Sequence, residues 1–268
     1  MNNKYDELLK IYEQKLKYLN YSERTVNSYC HYISKFLNKV DKYPQHLVSK
    51  DFQNYLDNYK FTSISQQNQI INSVKFLYER VLNRKYDKVS FKRPRKEKKL
   101  PQIIDKNFLL KKISKIQNLK HKAIISIAYS VGLRVSEVIN LRLEDIDSKR
   151  MLINIRQAKG RKDRIVPLSA NILSLLREYY TEYKPKEYLF NGQNSLQYSS
   201  ESCNKLVKHY IGNEYHFHLL RHSTFTTLLE SGTDLRIIQN IAGHASSKTT
   251  EIYTHVSNQL LSKVPLPI

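Results

Sequence analysis

No glycine interrupts the first 90 residues of the chain, and nothing there alternates apolar and polar residues over any length. A segment without period-two patterning has no half-buried strand to offer, so its apolar residues must be buried at helical spacing. Ser22 predicts an N-cap for "ERTVNSYCHYISKFLN", where Val26, Tyr29, Ile33 and Phe36 share one helix face. Ile70, Val74, Leu77 and Val81 form the same stripe in "SISQQNQIINSVKFLYERVL". Two more helices are predicted at about 4–18 and 48–59, which makes the first 90 residues a bundle of about four or five helices.

With 268 residues, 40% of them hydrophobic, the chain can fill the cores of two modest domains. Lys and Arg total 45 against 24 acidic residues, for a formal net charge of +21. That excess goes far beyond what solubility needs and points to a polyanion, nucleic acid first. The wealth of Lys, Asn and Tyr also fits an AT-rich genome, which weakens the charge argument somewhat. An anionic membrane surface is the rival, but there is no long apolar run, signal peptide or lipidation motif. The two cysteines, Cys30 and Cys203, lie far apart and predict a reducing cytoplasm and ordinary packing.

The segment "FKRPRKEKKLPQ", residues 91–102, reads as a linker, with six basic residues among the eight from Lys92 to Lys99. It is either a solvated charge run or a clamp on a nucleic-acid backbone through Arg93, Arg95, Lys96, Lys98 and Lys99. Three regions follow: a helical domain at 1–90, the basic linker at 91–102 and a second domain at 103–268. In that second domain "NFLLKKISKI", "HKAIISIAYSVG" and "RVSEVINLRL" are helical. "MLINIRQ" and "DRIVPL" are short β-branched runs flanking "AKGRK", a hairpin with Gly160 in the turn. The remainder is predicted helical to about residue 256.

One short stretch, "HFHLLRHSTF" at 216–225, carries three histidines and an arginine. His218 and His222, at i and i+4, could present two imidazoles to a metal. His218 and Arg221, at i and i+3, could instead converge on one anion. The metal reading lacks the glutamate of H-E-x-x-H and any evident third ligand.

Four segments then occur in order: "GLRVSEVINL" (132–141), "AKGRKDRIVPL" (158–168), "HLLRHSTFTTLLESG" (218–232) and "IAGHASSKTTEIYTHV" (241–256). They resemble the catalytic boxes of the tyrosine site-specific recombinases, the phage-integrase family, and the helical N-terminal part resembles that family's core-binding domain. The resemblance implies a mainly α protein: a helical, SAM-like core-binding domain, then an α+β catalytic domain with a small β-sheet. Its compact length places it at the Xer-like or integron-integrase-like end of the family, without an additional arm-binding domain.

The chemistry such an enzyme needs can be stated independently. Breaking a phosphodiester without water or metal takes a protein nucleophile, and a tyrosine hydroxyl forms a phosphotyrosyl bond that conserves the energy. Its pKa of about 10 leaves only about 0.1% ionised at pH 7, so a base or a cationic setting must help. Negative charge on the nonbridging oxygens calls for fixed guanidinium groups. The departing 5′-oxygen needs an acid. On the matched positions Arg134 and Arg221 clamp the phosphate, and His218 shares the tyrosine proton and holds the phosphate. The resemblance likewise implies that Lys159 protonates the leaving oxygen, His244 donates to the phosphate, and Tyr253 attacks. Arg161 and Lys162 add DNA contacts, and Lys162 also competes with Lys159 for the acid role.

Taken singly, each residue has an ordinary explanation. Arg134 could pair with Glu137 or Glu144, His244 could cap a helix, and Tyr253 is one of 20 tyrosines. Order and spacing raise the set above those explanations. Glu137 is read as orienting Arg134 or its neighbours, His222 as a structural neighbour, and His216 as surface; His255 could touch DNA. The resemblance implies duplex DNA with specific recombination sites as substrate, and a homotetramer, alone or with a second recombinase. It further implies a Holliday-junction intermediate, no metal, ATP or other cofactor, and a cytoplasmic, nucleoid-associated location. The tail's Leu260, Leu261, Val264 and Leu266 would dock on a neighbouring protomer or pack on their own domain. Rival readings are a type IB topoisomerase-like DNA-relaxing enzyme and a catalytically silent DNA-binding protein.

Overall fold

The computed structural model describes residues 5–84, 93, 102–158, 162–244 and 246–254. The chain divides into two compact units, Met1–Lys98 and Lys99–Ile268.

Among its described residues, the first unit's regular structure is all helical. Helices α1 (Asp6–Tyr18), α2 (Glu23–Val40), α3 (Ser49–Asp57) and α4 (Ile64–Phe76) follow one another, and α4 runs on into a π-turn at Leu77–Val81. The Ser22 hydroxyl accepts from the Thr25 N–H and the Ser63 hydroxyl from Gln66, so two of the helix starts carry side-chain caps. The predicted stripes point inward: Val26, Ile33, Phe36, Ile70, Val74 and Leu77 are buried, while Tyr29 and Val81 are half-buried. Aromatic edges lock this core, with Phe36 at 5.5 Å from Phe52 and 5.2 Å from Tyr55. Arg93 is exposed and donates to the Asn68 and Asn72 side-chain oxygens of α4 at 3.0 and 2.8 Å.

The second unit begins with α5 (Lys106–Ser114), α6 (Leu119–Val131) and α7 (Val135–Asn140). Strands β1 (Ile146–Asp147), β2 (Leu152–Ala158) and β3 (Lys162–Pro167) form an antiparallel sheet in the order β1-β2-β3. Helices α8 (Ala170–Tyr183), α9 (Ser200–Tyr210), α10 (Phe217–Glu230), α11 (Leu235–Ala242) and α12 (Lys248–Glu251) complete it. Helix α6 is the hub. It buries Ala123, Ile124, Ile125, Ile127, Ala128 and Val131, which is apolar around most of its circumference, and α5, α7, α8, α9 and α10 all pack on it. In the sheet Ile153 and Ile155 face inward opposite Val166 and Arg164, while Ile165 faces out.

The expected hairpin is present as β2 and β3, and the two-residue β1, too short to show any alternation, extends it to a three-stranded sheet. One expectation is corrected. The chain is not helical throughout after the sheet. Residues 184–199 form loop between α8 and α9, because Lys184 takes a left-handed φ of 44° and Pro185 follows, which cannot continue a helix. Lys159, Gly160, Arg161, Arg95, Lys96, Lys98, Lys99, His255 and the tail residues Leu260, Leu261, Val264 and Leu266 lie outside the described residues. For Lys162 only the backbone is described.

Candidate active site

Helix α6 stops at Gly132, whose φ of 66° suits glycine. A Cβ at this position would stand 2.6 Å from the Phe225 ring, so glycine also makes room for α10. The chain turns and Arg134 becomes the N-cap of α7. Its backbone N–H donates to one Glu137 carboxylate oxygen at 2.8 Å and its Nη1 to the other at 2.7 Å. Glu144, the other candidate partner, pairs instead with Arg156 at 3.1 Å. Glu137 is buried, which pushes its pKa up, but bonds and charge from Arg164, reinforced by Arg134, outweigh this and hold it at about 2. The Arg134 side chain keeps 18% of its surface exposed.

Along α10 stand His218, Arg221, His222 and Phe225. Arg221 is only 1% exposed. Its Nη1 donates to the Gly132 carbonyl at 2.6 Å, and its Nη2 to the Ala242 carbonyl and to His244 Nε2 at 3.0 Å. Its guanidinium lies 4.7 Å from the centre of the Phe225 ring. Burial, and then the charge of Arg134, lower its pKa to about 10, so it stays cationic at neutral pH. Three of its N–H donors are engaged among the described residues, both of those on Nη2 and one on Nη1.

Helix α11 ends at Gly243, with a φ of 60°, and His244 follows at once. Arginine can only donate, so His244 Nε2 accepts, Nδ1 carries the proton, and that proton goes to the Thr250 hydroxyl at 2.9 Å. Burial and the charges of Arg221, Arg134 and Arg164 lower its pKa to about 4, so it is neutral. Tyr253, 1% exposed, lies in a ring of aromatic neighbours: Phe225 at 5.5 Å, His222 at 5.7 Å and His244 at 6.4 Å. Burial raises its pKa, while Arg221 and Arg134 pull it down.

His222 connects this group to His218, whose ring meets it edge-on at 4.7 Å. The His222 Nδ1 is buried without a hydrogen-bond partner among the described residues. Burial and the nearby His218 and Arg221 hold the His222 pKa near 4. Burial and Arg221 lower that of His218 as well. His216 is exposed and precedes α10. No group of three His, Cys, Asp or Glu among the described residues is placed to hold a metal ion.

The fold therefore gathers Arg134, His218, Arg221, His244 and Tyr253 from three separate stretches of sequence. Lys159 lies outside the described residues. Sequence reasoning missed Arg164 and Thr250 and underrated His222. One signal for Arg164 was available. It is two residues from Val166 in a short strand, so an inward Val166 means an inward arginine, and a buried arginine demands a buried acid.

Residues 96–259 match the phage integrase family, and residues 8–88 match the N-terminal SAM-like domain of phage integrases. The tyrosine recombinase XerA of Pyrococcus horikoshii is 34% identical over 252 residues, spanning 90% of this chain and 86% of that protein. Tyrosine recombinase XerC of Staphylococcus aureus is 33% identical over 279 residues, spanning 92% of this chain and 91% of XerC. Among solved structures, XerA recombinase superposes with a TM-score of 0.57 at 26% identity, over 96% of each chain. XerH site-specific recombinase bound to palindromic difH substrate, in a post-cleavage complex, gives 0.73 at 24% identity, over 89% of this chain and 78% of that one; this likeness is one of fold. The chain belongs to the phage integrase family and is a tyrosine recombinase, an enzyme that cuts and rejoins DNA.

Proposed function

We propose that Tyr253 is the nucleophile of a site-specific strand exchange on duplex DNA, with Arg134 and Arg221 as its phosphate clamp. The observation that carries this reading is Arg221: a buried cation bonded to His244 and within electrostatic reach of Tyr253 and Arg134. The tyrosine oxygen attacks phosphorus, the bond to the 5′-oxygen breaks, and the DNA 3′ end becomes joined to the protein. Lys159 gives its proton to the 5′-oxygen, and His218 shares the proton that Tyr253 loses. A 5′-hydroxyl from the partner strand reverses the step. One pair of strands exchanges, a Holliday junction forms, and the second pair follows. Two guanidinium groups neutralise the oxyanion, the task a metal ion performs in other phosphoryl-transfer sites.

Two features refine the roles. Tyr253 must leave its seat among His222, Phe225 and His244 before its oxygen can meet a phosphorus. His244 can donate to a phosphate only when Nε2 carries the proton. A phosphate that draws the Arg221 N–H away releases Nε2. Thr250 then allows the proton to move, since its hydroxyl can accept from Nδ1 or donate to it.

The net charge of +21 supports duplex DNA as partner. In this reading residues 1–90 grip the duplex, 91–102 are a basic linker contacting phosphates through Arg93, Arg95, Lys96, Lys98 and Lys99, and 103–268 catalyse. Arg161 and Lys162 add contacts beside Lys159. Four protomers, with or without a second recombinase, act on two specific recombination sites in cytoplasmic, nucleoid DNA. No helix among the described residues is long and apolar enough to cross a membrane.

Incubation with nicked genomic fragments, in EDTA and without ATP, should trap protein on DNA 3′ ends, and sequencing the trapped DNA gives the site. Trapping on 5′ ends, or none, contradicts the reading. Lys159→Ala should cleave slowly, and a 5′-bridging sulfur, whose departure needs no proton, should restore the rate. If sulfur brings no gain, Lys159 is not the acid.

A further inference from the structure

We propose that Arg164 is a positioning residue that ties the Arg134 half of the phosphate clamp to the His244 half; this rests on the clamp reading above. Its side chain is 9% exposed and its three nitrogens reach two elements. Nη1 and Nη2 donate to the two oxygens of Glu137 at 2.7 and 2.9 Å, the parallel fork that a carboxylate fits best. Nε donates to the Ile241 carbonyl at 2.8 Å. Glu137 in turn holds both the backbone N–H and the Nη1 of Arg134. One guanidinium thus fixes the start of α7 and the end of α11, whose residues lie about 100 positions apart in sequence.

The end of α11 explains why an arginine is needed there. The last carbonyls of a helix have no partner within it and lie at the negative pole of its dipole. Two consecutive ones are met by guanidinium groups from different elements: Ile241 by Arg164 of β3, and Ala242 by Arg221 of α10. His244 stands two residues further on. The Arg164 stem also lies over the turn between them, for a Cβ on Gly243 would be 2.9 Å from Arg164 Cδ. The strand pairing of Arg164 opposite Ile155 anchors the backbone from which all this is held. Lysine keeps the charge but has no fork, so it could hold Glu137 or Ile241, not both in this geometry.

The test uses Arg164→Lys and Arg164→Ala in the full chain. Cleavage is measured in single turnover on a nicked duplex carrying the trapped site sequence, alongside DNA affinity. Arg164→Lys should slow cleavage at saturating DNA by about 10²-fold while Kd changes less than about threefold, because the clamp is misplaced rather than removed. Millimolar guanidinium should recover part of the rate in Arg164→Ala and none in Arg164→Lys. A second readout needs no DNA: nitrogen NMR of the His244 ring. Around that ring stand Arg221, Arg134, Arg164, His222, Thr250 and Tyr253. Lysine preserves the charge, so a His244 pKa rising from about 4 toward its ordinary value reports a loosened turn. A folded Arg164→Lys that cleaves within threefold of the parent, or whose His244 titrates as in the parent, overturns the proposal. If Arg164→Lys does not fold, Glu137→Asp, which keeps the charge and draws the carboxylate back from the same fork, must give the same pair of signatures or the proposal falls. If the parent chain forms no adduct, the functional reading fails, and the His244 titration still decides the role of Arg164.

Discussion

The two units bury different things. In the first, the described interior is apolar and aromatic, with Ser73 as its buried polar residue apart from tyrosines. In the second, Glu137, Asp145, Arg221, Ser223, Thr224, Thr226 and Thr250 are all buried. Burying a charge is costly unless it is paired and hydrogen-bonded, so such groups are retained where they serve a purpose. The first unit's interior is held mainly by apolar and aromatic packing, with Tyr12 and Tyr78 hydroxyls donating to backbone carbonyls, and most of its apolar core positions could take other residues of similar volume. In the second, Asp145 is tied to Arg156 and to the Arg142 N–H away from the candidate site, while Glu137 and Arg221 are tied to residues of that site. The proposed chemistry lies in the unit that buries charged groups beside its apolar core.

The sharpest way to break this comparison is Arg221→Lys. It keeps the charge and loses the three-way grip on Gly132, Ala242 and His244. Cleavage should fall by about 10²–10³-fold, the scale seen when a preorganised donor is lost. A variant that retains most activity would show that the buried cation is only structural. Next comes Phe36→Ala in the first unit, which should cost about 3–5 kcal/mol of stability, read by denaturant unfolding. Its cleavage rate on saturating DNA, under conditions where it remains folded, should be close to the parent's.

Acid should separate the units further. His222 and His244 are held near pKa 4, whereas unfolded they titrate near the ordinary 6.5. The unfolded chain therefore binds more protons between those values, and stability declines as pH falls from about 6.5 toward 4. Glu137, depressed from 4.5 to about 2, continues the loss below that. Hydrogen-exchange protection of α10, corrected for intrinsic rates, should drop more than that of α2 between pH 7 and 5. Equal drops would contradict the assignment. The smallest effect is expected from His222→Phe. It keeps a ring between His218 and Tyr253 and removes an unpartnered nitrogen, so cleavage should change by less than about tenfold and stability should hold. A rate reduced by about a hundredfold or more would move His222 into the proton path.

The contrast also governs what the sequence revealed. The stripes Val26–Ile33–Phe36 and Ile70–Val74–Leu77 were legible because a single helix face is a local pattern. The hairpin strands were legible for the same reason. The loop at 184–199 was missed because Pro185 and Gly192 were outweighed by helical expectation on either side. Within the site, the resemblance of the four ordered segments pointed to Arg134, His218, Arg221, His244 and Tyr253, and the structure brings them near one another. The partners of Arg164 are 27 and 77 positions away. No periodicity records a bond of that separation. Only the inward phase of Arg164 in its strand hinted at it. The His244 tautomer depends on Thr250 and Arg221 together, and could be read only from their positions around the ring.

The most direct measurement is peptide mapping of the protein trapped on a nicked duplex that carries the recovered site, in EDTA. The account predicts DNA joined through its 3′-phosphate to the peptide containing Tyr253, no adduct with Tyr253→Phe, and unchanged folding and DNA affinity in that variant, since only one oxygen is removed. DNA joined to any other tyrosine, or an adduct that persists in Tyr253→Phe, would contradict it.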